Sequence, residues 1–246
     1  RRPLTPDTQG HTMKRTFALS TALLLGAFIA NPAKAAVING DFSAGLTGWN
    51  SLGDVAVSAG EARLSTASLD VDDFPAAAGA FNQSGNAAAP VGQPGGVETF
   101  AGLPLGQLDP DPANGGWAFE GSALRQTLGV QAGDTLTFDW RLASNEDPLA
   151  GMNDYAFVVI GGVLTLLDDV FTGLGSGSFS HTFNAAGSTD VVFGIVDVGD
   201  YVGSSWLSID SVRIATAPTT VPEPGSLVLA LAGIGVLARR LRHPQG

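Results

Sequence analysis

Along most of the chain the hydrophobic positions recur with a period of two, not of three or four. Thr135 to Leu142 alternates strictly, with Leu136, Phe138, Trp140 and Leu142 on one face and Thr135, Thr137, Asp139 and Arg141 on the other. This is the pattern of a half-buried strand. Ser122 to Val130 is a second extended run, and Gln131-Ala-Gly-Asp134 predicts the turn between the two. Tyr155 to Ile160 and Val163 to Leu167 flank Gly161-Gly162, a two-residue hairpin signal. Further strands are expected at Ala36 to Asn39, Val55 to Ser58, Ala62 to Ser65, Trp117 to Glu120, Ser178 to Phe183, Val191 to Val196 and Trp206 to Ile214. In the last of these the apolar phase switches between Ile209 and Val212, which predicts a bulge near Asp210-Ser211. Short strands, Gly-rich turns and no helical periodicity predict an all-β fold, an antiparallel β-sandwich of jelly-roll type.

Three stretches depart from this pattern. Residues 67–116 are rich in Ala, Gly and Pro, with few residues able to build a core. They read as a long loop or insertion, either a binding segment or a disordered one. At the front, Lys14 and Arg15 precede an apolar run from Phe17 to Ala30, and Ala33-Lys-Ala35 follows. That order is a signal peptide over 13–35, a signal helix cut by signal peptidase after Ala35, with Ala36 as the near alternative. Met13 is then the start, and residues 1–12 are an upstream extension. At the back, Val221-Pro-Glu-Pro-Gly-Ser226 leads into the apolar run Leu227 to Ala238, closed by Arg239, Arg240 and Arg242. A transmembrane helix is expected at about 225–238, inside a tail of 217–246. Arginines only after the run place its end in the cytoplasm and the preceding chain outside the inner membrane.

Composition sharpens the picture of the part between, residues 36–216, which suits one domain. It holds four arginines, Arg63, Arg125, Arg141 and Arg213, no lysine, and 21 Asp and Glu, a formal charge of −17. Such a surface repels nucleic-acid phosphate and anionic lipid and favours divalent cations. The chain has no Cys. Stability must come from the core and, if one binds, from a metal.

The tail resembles the PEP-CTERM sorting segment of Gram-negative bacteria, also known as an ice-binding-protein C-terminal motif. The resemblance implies recognition by an exosortase through Val221, Pro222, Glu223 and Pro224, with the arginines closing the signal. It also implies transient membrane anchoring, then processing at the cell surface or release to the extracellular matrix. An ice-binding surface would need a regular array of threonines, and only Thr135 and Thr137 form a T-x-T pair in a strand.

The body, residues 36–215, resembles carbohydrate-binding modules and galactose-binding-like sandwiches. The residues carrying this are Val37-Ile-Asn-Gly-Asp-Phe42 with Gly48-Trp49, Leu124-Arg-Gln-Thr-Leu128, and Ser205-Trp-Leu-Ser-Ile-Asp-Ser-Val212. That resemblance implies a structural Ca²⁺ between the first and last strands, mapping onto Asn39 or Asp41 and Asp210.

Candidate chemistry is sparse. Asp109, Asp111 and Glu120 have calcium-loop spacing, but Ala113 and Asn114 break the EF-hand pattern. Asp70-Val-Asp-Asp73, Asp168-Asp169 and Asp197-Val-Gly-Asp200 read as solvated turn acids or as Ca²⁺ ligands. His181 alternates with Phe179 and Phe183 and reads as packed or at a sheet edge. Without Cys, a G-x-S-x-G elbow or a set of zinc ligands, no catalytic residue is assigned. For sugar stacking the candidates are Trp49, in a Gly-rich loop, and Trp117, beside the insertion, whereas Trp140 belongs to a core face. The expectation is a non-catalytic structural or adhesive protein associated with surface polysaccharide. The alternatives are a calcium-stabilised carbohydrate-binding module and a glycoside-active enzyme with paired carboxylates.

Overall fold

A computed structural model describes residues 36–69, 81–146, 151–217 and 233–234. The signal segment and the sorting tail, with Ala33, Ala35, Val221, Pro222, Glu223, Pro224, Arg239, Arg240 and Arg242, lie outside the described residues. Among the described residues no helix is long and apolar enough to cross a membrane.

The strands are β1 (Asn50–Leu52), β2 (Asp54–Ser58), β3 (Glu61–Ser65), β4 (Ala89–Pro90), β5 (Ala118–Val130), β6 (Thr135–Ser144), β7 (Tyr155–Ile160), β8 (Val163–Asp169), β9 (Ser176–Thr182), β10 (Gly187–Val198) and β11 (Ser205–Ala215). They form two antiparallel sheets. One runs β1-β5-β10-β7-β8, with β4 also on β5, and the other runs β2-β3-β11-β6-β9. Most consecutive strands change sheet, as in a jelly roll, and the alternating faces of both sheets close on one core.

Local chemistry accounts for the register. Gly161 and Gly162 have φ of 57° and 83°, the left-handed pair a type I′ turn requires, and Ile160 pairs with Val163 across it. The expected bulge is in β11, where the register with β6 shifts between Asp210 and Arg213 and Ser211 has φ 55°. Gln131 to Asp134 turns as expected, with the Asp134 carboxylate accepting the Gln131 N–H at 2.8 Å.

Between the sheets, Phe193 stands at the centre of an aromatic cluster. Its ring is 5.8 Å from Trp49 and 4.7 Å from Phe138, and Leu64, Leu124, Leu136, Leu207 and Ile209 close the space around it. His181 is half-buried edge-on to Phe183 at 4.9 Å, the packed role expected of it.

Two expectations change. Ala36 to Asn39 makes no strand; its backbone is held instead by the Gln126 amide, which accepts from Ile38 N–H at 2.8 Å and donates to Ile38 O at 2.9 Å. The described part of 67–116 is more than a loop. It carries β4, the helix α1 (Val97–Ala101) and a 3-10 turn at Pro112–Asn114. Val91, Val97, Leu103 and Leu108 from it are buried with Phe157, Val159, Val192 and Val196 on the outer face of the β5-β10-β7 sheet. Its few apolar residues suffice because each lands on a sheet face that is itself apolar. Glu98 holds the segment shut, accepting the Gly106 and Leu108 N–H groups at 2.8 and 2.7 Å.

Phe193→Ala is expected to cost about 3–5 kcal/mol in denaturant unfolding, the usual range for a core aromatic. Trp49→Ala, on the same cluster, should be comparably destabilising. A Trp49 change without loss of stability would contradict its core position.

Candidate metal centre and aromatic edge

Three strand ends meet at one end of the sandwich and bring together Glu146, just past β6, Asp154, just before β7, and Asp197, near the end of β10. One carboxylate oxygen from each lies within 4.8 Å of the others. Asp154 and Asp197 are 0% and 1% exposed, and Glu146 is half-buried. The turn that follows β10 folds against them: a Cβ on Gly203, whose φ is +91°, would meet Glu146 Oε1 at 1.9 Å. Only a glycine lets the backbone come this close.

The two buried acids are held differently. Asp154 Oδ1 accepts the Val198 N–H at 2.9 Å and Oδ2 the Ser205 hydroxyl at 2.6 Å. Burial pushes its pKa up, and these two bonds offset part of the rise. Asp197 has no hydrogen-bond partner on either oxygen. Burial, and after it the charges of Asp154, Glu146, Asp200 and Glu120, drive its carboxyl far above the usual range. Two like charges about 5 Å apart repel by roughly 3 kcal/mol at an effective dielectric of 20. The group therefore needs protons or a cation.

Asn39, Asp41 and Asp210 are differently placed. The last strand does meet the first segment, since Val212 N–H bonds to Gly40 O at 2.9 Å and a Cβ on Gly40 would meet Val212 O at 1.9 Å. The Asn39 side chain, however, is committed to its own turn, donating to Gly45 O and Thr47 O and accepting from Ala44 N–H at 3.0 Å. Asp41 is exposed and accepts from the Ser43 backbone and hydroxyl, bonds that lower its pKa. Asp210 accepts the Ser211 N–H at the bulge. The calcium-like Asp109 and Asp111 are likewise used locally, by Ala118 N–H and the Asn114 amide.

Of the two tryptophans weighed for sugar stacking against core packing, Trp49 is packed in the core. It is 8% exposed, its ring 5.4 Å from Phe42, and its indole N–H donates to Asn39 O at 3.2 Å. The glycines around it let the loop bend so that the ring turns inward. Trp117 is 52% exposed, and its indole N–H is fixed on Pro112 O at 2.8 Å. Its carbonyl takes the Gly199 N–H at 3.0 Å, and two residues on, Phe119 packs at 4.8 Å against Tyr201, itself 44% exposed. The turn after β10 thus carries Tyr201 of this aromatic edge as well as Gly203, which lies against Glu146.

Neither Glu146 nor Asp154 was singled out from sequence, and Asp197 only as half of an acidic pair. A signal was present: Asp154 adjoins the unbroken apolar strand 155–160, and Asp197 continues the apolar run that starts at Val191. Acids in such runs are buried and need a compensating partner.

Comparison with known proteins adds the tail. Residues 220–242 match the PEP-CTERM protein-sorting motif, as the residues themselves implied. No curated protein matches the chain in sequence. Among solved structures, a CBM4 module is 11% identical with a TM-score of 0.34, covering 73% of this chain and 99% of its own. TmCBM61, solved with β-1,4-galactotriose, is 12% identical with a TM-score of 0.26, covering 45% and 80%. The GH31 α-xylosidase of Xanthomonas citri is 14% identical with a TM-score of 0.18, covering 40% and 12%. These scores are low, and the description of the sandwich stands on its own strand pairing.

The raised Asp197 pKa has a definite sign. Its unfolded value is 3.8, so the folded chain holds a proton that the unfolded chain has lost above about pH 4. In chelator the melting temperature should fall from about pH 4 to pH 8, Asp197 contributing up to roughly 1.4 kcal/mol per unit. Asp197→Asn, neutral throughout, should flatten that fall; thermal unfolding across pH checks it. This chain carries a PEP-CTERM protein-sorting motif, the mark of an exported protein processed at the cell envelope.

Proposed function

We propose that the chain is an exported, non-catalytic protein of the cell envelope or extracellular matrix whose β-sandwich associates with surface polysaccharide. The observation that supports the sugar-facing role is the indole of Trp117, exposed yet held in place by its bond to Pro112 O. An aromatic face that is both open and pre-oriented stacks on a sugar ring with little entropy left to lose. A hollow of about 210 Å³ between the insertion and β8 is lined by Pro110, Leu164 and Leu166 together with Gln107, Asn153 and Asp169. In this reading signal peptidase removes the leader, the tail anchors the chain in the inner membrane, and an exosortase then acts at Pro222 to Pro224. The formal charge of −17 on residues 36–216 disfavours nucleic acid and anionic lipid as partners.

The glycosidase alternative needs two carboxylates flanking an open cleft. The Glu146, Asp154 and Asp197 group does not serve, since Asp154 and Asp197 are closed to solvent.

The full chain in mild detergent is expected to co-sediment saturably with exopolysaccharide of the source cell, and Trp117→Ala to weaken this about tenfold, the effect of losing one aromatic anchor. No binding by folded protein, or binding indifferent to Trp117, overturns the sugar-facing role. Replacing Pro222 and Pro224 by Ala should cause unprocessed chain to accumulate in the membrane fraction, read by mass on immunoblot.

A further inference from the structure

Several other buried carboxylates among the described residues are met by protein donors. Asp54, 0% exposed, accepts the Gln83 and Ser84 N–H groups at 2.8 and 2.7 Å as well as the Ser65 hydroxyl. Glu98, also 0% exposed, takes two backbone N–H groups, and Asp134 takes those of Gln131 and Ala217. Asp197 is 1% exposed, without a donor on either oxygen, and faces two more carboxylates. An ionised acid in that position is costly unless a cation replaces the missing donors.

We propose that Glu146, Asp154 and Asp197 bind one Ca²⁺ ion that ties the end of β6 in one sheet to the ends of β7 and β10 in the other. The donor set is all oxygen, which suits Ca²⁺, Mg²⁺ or Mn²⁺ and not zinc or copper. Calcium–oxygen bonds of about 2.3–2.6 Å allow ligand oxygens up to about 5 Å apart, and the three here fall within 4.8 Å. Mg²⁺ prefers to keep several waters, and a site with two of its three acids closed to solvent has little room for them. Asp154 is already oriented for the task by Val198 N–H and the Ser205 hydroxyl, as carboxylate ligands usually are. Gly203 brings the turn after β10 onto Glu146, so the ion would also fix the turn that carries Tyr201. In an exported chain with no Cys, such an ion takes the place of a disulfide as the cross-link between sheets.

The test uses the full chain in mild detergent, stripped with chelator and titrated with Ca²⁺ alone by calorimetry and thermal unfolding. One saturable site with Kd at or below about 10⁻³ M is expected. The melting temperature should rise by roughly 5–10 °C at a hundredfold excess over Kd. Mg²⁺ at equal concentration should raise it less. Asp197→Asn should weaken Ca²⁺ binding at least about tenfold and abolish the rise, because one of three anionic ligands is gone. Glu146→Gln, at the half-buried rim, gives the same readout should Asp197→Asn not fold. A wild-type chain indifferent to Ca²⁺ would mean the group is held by protons alone. Binding unchanged in both variants would place the ion elsewhere, for example at Asp41 and Asp210. Either result overturns the proposal.

Discussion

The β5-β10-β7 sheet is covered on both faces, by the second sheet on one side and by the 81–117 segment on the other. A strand in that position has no face to give to water, and β10 is accordingly buried at every residue from Val191 to Val198. The covering segment needs little apolar material because the sheet supplies the other half of the interface. Burial of roughly 25 cal/mol per Å² of apolar surface favours even short, Pro-rich chain that lies flat on such a face. Gly194 belongs to the same constraint, since a Cβ there would meet the Phe157 ring at 2.2 Å.

That two-sided burial also makes the acidic end of the sandwich chemically distinct. A carboxylate on an ordinary half-buried strand turns to water; Asp197, on β10, cannot. Elsewhere the fold answers a buried acid with backbone N–H groups, as at Asp54 and Glu98. Around Asp197 the neighbours are Asp154, Glu146, Asp200 and Glu120. Their charges add to the desolvation of the site, and the balance is restored by protons or by a divalent cation.

The same end carries Trp117, Phe119 and Tyr201. The turn after β10 links the two features, with Gly199 bonded to Trp117, Tyr201 packed on Phe119 and Gly203 lying on Glu146. An ordered turn presents its aromatic rings at lower entropic cost than a free one. With a formal charge of −17 on residues 36–216 and no cysteine, the sandwich rests on its core.

Local pattern alone determined most strands of the sandwich, because alternation and turn chemistry are properties of neighbouring residues. Thr135 to Leu142, the Gly161-Gly162 hairpin and the slip at Asp210-Ser211 were legible for that reason, and so was the sorting tail, a contiguous signal. What lay beyond reach was set by contacts between distant residues. Trp49 sits among glycines that look like loop, yet its ring is drawn inward by Phe42 and Phe193. The insertion seemed too poor in hydrophobic residues to pack, yet its partner face comes from β5, β7 and β10. Glu146 and Asp154 are eight residues apart but Asp197 lies 43 further on, and nothing in that spacing joins the three. Only the tertiary structure, by ending three strands at one place and closing water out, made them a single group.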